Sequence, residues 1–295
     1  MAMNSRHVGR ASRASDAYVI CRMPPAWFSR KFCRMPRRRI SVSCTWRVRA
    51  IAASGAVVLA LSGCHRAIGP LVRPDSSAVA LTGGPATSMV YLARTGDSVI
   101  AIDLGWWRHR GPITAALRDL DALPDQVTDV FLTHSHRDHI GAWRLFRRSR
   151  IRVAESEKPL LLGARSHDAW VPRWTEWAKP SALSAPNDVD VRAFARDTTF
   201  VFDRDTLYAF VVRGHTAGST VYLFRGVLFL GDAVTHTPWG GFGRARRGYS
   251  DDVRVAAANL DSLWPRLPGD AVRYLCTAHA HCAVFSDDFL RDVRR

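Results

Sequence analysis

The stretch Val130-Phe131-Leu132-Thr133-His134-Ser135-His136-Arg137-Asp138-His139 decides the reading of this chain. An apolar run of strand character ends in three histidines and an aspartate. His134 and His136 are two apart, so an extended chain points both the same way. Asp138 and His139 follow where the chain turns into a helix start, Ile140-Gly141-Ala142-Trp143, and can reach a second ion beside the first. Sheet enzymes tend to place their sites at the C-terminal ends of strands. An exposed polar loop is the bland alternative. Four potential ligands at this spacing, followed directly by an apolar helix start, favour a metal centre.

The pattern continues on both sides. Upstream, Ser88 to Ala93 and Ser98 to Ile102 are strand-like around the hairpin signal Thr95-Gly96-Asp97. Pro112 to Leu123 has helical spacing, with Ile113, Leu117 and Leu120 on one face. Downstream, Ile151 to Ala154 is another strand, and the Trp-, Pro- and Ser-rich residues 165–188 read as a loop insertion. A second strand-rich half follows: Val189 to Phe194, Thr198 to Phe202, Leu207 to Val212, Thr220 to Phe224, Val227 to Leu230 and Val272 to Cys276. Asp251 to Trp264 and Asp287 to Val293 are its helices. Two halves of strands and helices predict an α/β fold, a four-layer αβ/βα sandwich of two packed mixed sheets with outer helices.

His134 to His139 resembles the HxHxDH signature of the metallo-β-lactamase superfamily. Other motifs then fall into order. Gly214-His215-Thr216-Ala217-Gly218-Ser219 resembles the family's GHTxGS element, and Phe229-Leu230-Gly231-Asp232 its strand–GD element. Thr277-Ala278-His279 resembles its last ligand position, and Ile102-Asp103-Leu104-Gly105 its early DxG turn. The resemblance implies His134, His136 and His215 on one ion. It implies Asp138, His139 and His279 on the other, with Asp232 bridging. Taken alone, His215 or Asp232 would more often be a turn or cap residue; their order and strand-end placement argue otherwise. Asp103 reads as a residue that orients ligands. His281 competes with His279 for the last position, because Ala280 stands where the family usually has glycine.

Two divalent ions about 3.5–4 Å apart can hold a hydroxide and lower its pKa toward about 7. That hydroxide would attack the carbonyl of a small ester, thioester or lactone, with Asp138 orienting it. His and carboxylate ligands suit zinc, and leave Fe²⁺ and Mn²⁺ open. An aspartate at position 232 looks more like glyoxalase II and the acyl-homoserine lactonases than the true metallo-β-lactamases, which tend to have Cys or Ser there. Alternatives are a phosphodiester hydrolase on the same fold and a non-catalytic cell-envelope metal-binding protein. Trp106, Trp107, Trp170, Trp174, Trp177, Trp239 and Phe242 are candidates for an apolar substrate wall.

The 295 residues carry a formal charge of +16. Residues 1–63 hold twelve Lys or Arg and one acid, Asp16, so they account for +11 of it. The remainder is only mildly basic, and no nucleic-acid partner is expected. Residues 1–63 read as a leader with an export signal. Arg37, Arg38, Arg39, Arg47 and Arg49 precede the uncharged run Ala50 to Ser62, which is too short to span a bilayer. Leu61-Ser62-Gly63-Cys64 resembles the lipobox of bacterial lipoproteins, implying a lipid anchor at Cys64 and location at the cell envelope. Residues 64–77 then form a tether, and 78–295 the hydrolase domain. Cleavage would leave Cys276 and Cys282 as the only unlipidated cysteines, in an oxidising compartment. A disulfide between them is one outcome; strand geometry that points the sulfurs apart is the other.

Overall fold

The computed structural model describes residues 78–81, 88–178, 183, 188–237, 241–280 and 282–294. The leader, the lipobox with Cys64, the tether, Trp239, His281 and the side chain of Trp177 lie outside the described residues. Among the described residues no helix is long and apolar enough to cross a membrane.

One sheet runs β1 (Ala78–Leu81), β2 (Val90–Thr95), β3 (Ser98–Ile102), β4 (Val127–Phe131), β5 (Arg150–Ala154) and β6 (Asp190–Phe194), in that order. It is mixed: β1–β3 pair antiparallel, and β3 to β6 pair parallel. Strand β3 reads as a near-continuous apolar run because both of its faces are covered. The first helix, α1 (Arg110–Asp119), covers one face through Ile113, Ala116 and Leu117. It stops before the expected Leu123, because the chain turns at Asp121, which has φ 50°. Two short helices follow strands of this sheet, α2 (Arg137–Ile140) after β4 and α3 (Lys158–Leu161) after β5.

The expected loop insertion at 165–188 contains a helix, α4 (Trp170–Ala178). Pro172 suggested a loop, but it sits in the first turn, where its missing N–H has no intrahelical partner to lose.

The second sheet has the order β14 (Cys282–Val284), β13 (Tyr274–Thr277), β10 (Val227–Gly231), β9 (Thr220–Phe224), β8 (Asp205–Val211), β7 (Thr198–Phe202). Only β10 and β13 pair parallel there. A small hairpin, β11 (Val234–His236) with β12 (Phe242–Arg244), leaves the end of β10. Helix α5 (Val253–Leu263) is capped by Asp252, which accepts from the N–H groups of Arg254 and Val255. With α6 (Asp287–Arg294) it covers the outer face of this sheet: Leu260, Leu263, Phe289 and Val293 pack on Leu223, Leu228 and Leu275.

The two sheets pack inner face to inner face. Tyr91, Ile100, Ile102 and Phe131 of the first meet Leu207, Tyr222 and Phe229 of the second. Phe131 makes edge contacts with Phe200, Phe202 and Tyr222. This is the predicted sandwich, with helices on both outer faces. Two bonds lock the sheets where the strands end: Tyr222 Oη donates to Leu132 O, and Thr220 N–H to Thr133 O, both at 2.8 Å. Burial pushes the Tyr222 phenol well above its ordinary value, so it stays a donor.

Candidate metal centre

All seven sequence-predicted ligands converge at that seam. His134 and His136 leave the end of β4, and Asp138 and His139 lie in α2. His215 comes from the loop between β8 and β9, Asp232 directly follows β10, and His279 follows β13. His134, His136 and His139 are almost fully buried, as are His215 and Asp232.

One group is His134 Nε2, His136 Nδ1, His215 Nε2 and the Asp232 carboxylate. The three ring nitrogens lie 3.0, 3.1 and 3.2 Å apart, and Asp232 Oδ2 is 3.6 Å from His215 Nε2. Ligands on a tetrahedral ion at 2.0–2.1 Å stand about 3.3 Å from one another, so the set fits a divalent cation. The second group is Asp138, His139 and His279. His279 Nε2 is 3.3 Å from Asp138 Oδ2, and His139 Nε2 is 3.8 Å from the same oxygen. Asp232 faces this group too, 3.2 Å from His279 Nε2 and 3.7 Å from His139 Nε2. Two buried atoms aimed at this second group, His139 Nε2 and Asp232 Oδ1, have no hydrogen-bond partner among the described residues. A cation between them would satisfy both.

The surroundings fix which ring nitrogen His134, His139 and His215 offer. Asp103, at φ 53°, accepts from the Thr133 N–H and hydroxyl and from His139 Nδ1, all at 2.8 Å. His139 therefore keeps the lone pair of Nε2 for an ion. The Thr133 hydroxyl, already donating to Asp103, accepts from His134 Nδ1 at 3.1 Å. His215 Nδ1 is 3.1 Å from Ser250 Oγ, which itself donates to Arg246 O. Gly231, at φ 52°, is needed here: a Cβ on it would stand 2.8 Å from Cβ of Thr133.

The electrostatics favour cation binding. Burial, reinforced by neighbouring histidines, drives His134 and His136 well below their ordinary values. Burial also lowers His215, to about 4, against the pull of Asp232. All three are thus neutral ligands at pH 7. Burial alone would raise the Asp232 carboxyl, but His279, His215 and His139 hold it well below the usual range. Burial raises Asp138, partly offset by His139 and His279.

Two further groups carry no motif. Glu157 is fully buried and accepts four hydrogen bonds from the ligand-bearing loops. In the sequence it sits in Glu155-Ser156-Glu157-Lys158, which reads as a solvated turn. His167, in the supposed insertion, is buried with its ring 4.4 Å from that of His136. The suggested apolar wall is only partly assembled. Trp107, Trp170 and Trp174 are exposed, while Phe242 packs edge-on against Phe289 of α6.

Cys276 and Cys282 face each other across β13 and β14, with Cα atoms 4.1 Å apart, and are joined by a disulfide. Of the two outcomes open in the sequence the bridge is the one found. It closes the base of the loop that carries His279.

The family model described as the Metallo-beta-lactamase superfamily matches residues 83–277. No curated protein matches the chain. Among solved structures, a metallo-beta-lactamase family protein from Thermus thermophilus shares 19% identity and a TM-score of 0.52, covering 73% of this chain and 77% of its own. An archaeal metallo-beta-lactamase superfamily protein from Sulfolobus tokodaii shares 17% at TM-score 0.51, covering 72% and 82%. The BLEG-1 B3 metallo-beta-lactamase shares 16% at TM-score 0.51, covering 70% and 93%. At these identities the likeness is one of fold.

Proposed function

The chain belongs to the metallo-beta-lactamase superfamily, and from that premise we propose that it is a two-metal hydrolase of a small ester, thioester or lactone. Asp232 carries the reading. Its carboxylate stands 3.6 Å from His215 of one group and 3.2 Å from His279 of the other, so a single side chain serves both. An aspartate in this place is also the feature that resembles glyoxalase II and the lactonases.

Two divalent ions, zinc by preference, would supply Lewis-acid polarisation of a substrate oxygen and acidify a water. The chain's own residues do the rest. His134, His136 and His215, neutral, present lone pairs, and the Asp232 carboxylate offsets the cations' charge. Asp138 is only half-buried and faces His139 and His279. It is the group placed to orient a water and accept its proton.

We place the protein at the cell envelope, anchored through Cys64. The disulfide supports an oxidising compartment.

The test is hydrolysis by the metal-replete full chain of a panel of esters, thioesters, lactones, β-lactams and phosphodiesters. The expected result is turnover of carbonyl esters that is lost on chelation and in Asp232→Ala. Turnover of phosphodiesters alone would make it a phosphodiesterase. Bound metal with no turnover would make it a metal-binding protein.

A further inference from the structure

Glu157 lies outside every motif, yet it joins the two loops that hold the first group of ligands. These loops belong to different sheets: 133–136 follows β4, and 214–219 connects β8 to β9. Glu157 Oε1 accepts from the Ser135 N–H at 2.7 Å and the Ser135 hydroxyl at 2.6 Å. Its Oε2 accepts from the Thr216 hydroxyl at 2.7 Å and the Gly218 N–H at 2.8 Å. Ser135 lies between His134 and His136, and Thr216 follows His215. Every first-group histidine is therefore one residue from a group that donates to this carboxylate.

The neighbours complete the network. Ser219 Oγ accepts from the Thr216 N–H at 2.9 Å and lies 2.8 Å from the Thr216 hydroxyl. With that hydroxyl donating to Glu157, Ser219 becomes its donor. Ser135 Oγ, likewise committed to Glu157, is left to accept from His167 Nε2 at 3.2 Å. Gly218 allows the approach, since a Cβ there would stand 2.5 Å from Glu157 N and Cβ. Four donors and no acceptor face the carboxylate, an arrangement an amide cannot reproduce. Such a group buried beside a cation site also adds a charge of the sign that a cation requires.

We propose that Glu157 is the positioning residue of the first metal site: it clamps the His134/His136 loop to the His215 loop and sets that site's affinity. The inference rests on reading the cluster as a metal centre. Glu157 belongs to neither group of ligands. It acts through Ser135 and Thr216, as groups behind metal ligands do elsewhere, where their loss costs about 10–100-fold in metal affinity.

The test is Co²⁺ and Zn²⁺ titration of the metal-stripped full chain against a chromophoric chelator, following the cobalt absorption bands of each site. Glu157→Gln should weaken the first site about 10–100-fold and shift its cobalt bands, with the second site changed less than threefold. Ser135→Ala and Thr216→Val each remove one bond to Glu157 and keep its other three, losing besides only the bond of Ser135 to His167 or of the Thr216 hydroxyl to Ser219. They should give smaller losses that vanish in the Glu157→Gln background, and they carry the test if Glu157→Gln does not fold. First-site affinity and bands unchanged in the variants, or both sites weakened equally, would overturn the proposal. A wild-type chain that binds no metal would instead overturn the metal-centre reading beneath it.

Discussion

Replacing both Cys276 and Cys282 by alanine tests how the last ligand is held. The bridge closes a loop of seven residues, counting both cysteines, with His279 in it. The chain-entropy relation gives about 2 kcal/mol of stability for a loop of that length. For a domain of this size each kcal/mol moves the midpoint by roughly 2–4 °C, so a fall of about 4–8 °C is expected. Both cysteines are buried and small, and alanine leaves space without placing a polar group there. The second effect is local. With the base of the loop open, His279 is held by Met89 N–H donating to Ala278 O at 2.8 Å and by its contacts to Asp138 and Asp232. The second ion should therefore be lost before the first. The assay is thermal unfolding of the metal-free variant and wild type, with metal content of each after dialysis. An unchanged midpoint together with undiminished second-site metal would refute the reasoning. So would two freely alkylated thiols in the native, unreduced wild type.

Other perturbations give separable outcomes. Asp103→Asn turns a carboxylate oxygen facing His139 Nδ1 into an N–H or removes its charge, which favours the tautomer that protonates Nε2; second-site metal affinity should fall about 10–100-fold in chelator competition, and a change below twofold would contradict this. In the metal-free protein His215 stays neutral down to about pH 4, whereas the unfolded chain takes up that proton near pH 6.5. Its stabilising contribution is complete above pH 6.5 and is lost as pH falls toward 4, about 3 kcal/mol in denaturant titrations across that window; equal stability at pH 7 and pH 4.5 would refute it. Cys64→Ala should move the protein from membrane to soluble fractions, and a variant that stays membrane-bound through detergent-free washing removes the lipid anchor.

The ligands were legible in the sequence because most of them follow a strand of strong apolar pattern, with Asp138 and His139 in the helix start that comes next. Val130-Phe131-Leu132 announces His134, and Phe229-Leu230 announces Asp232. The strands β3, β9 and β10, buried along almost their whole length, had boundaries within a few residues of those expected. What the sequence hid has physical reasons. Helix α4 carries Pro172 in its first turn, where proline costs no hydrogen bond but resembles a loop signal. Strands β11, β12 and β14 are three residues each, too short for a period to show. Glu157 and His167 matter through partners distant in sequence, Ser135 and Thr216 for the first and His136 for the second, and nothing in their immediate neighbours marks them as buried. Trp107, Trp170 and Trp174 show the opposite failure: large apolar residues that composition assigns to a core or pocket wall stand exposed.

The most direct test of the account is elemental analysis of the full chain purified after metal-replete expression. His134, His136 and His215 on one side, Asp138, His139 and His279 on the other, and Asp232 between them predict about two divalent ions per chain. They also predict a clear loss of bound metal in Asp232→Ala. A wild-type chain that carries no metal would contradict the account at its centre.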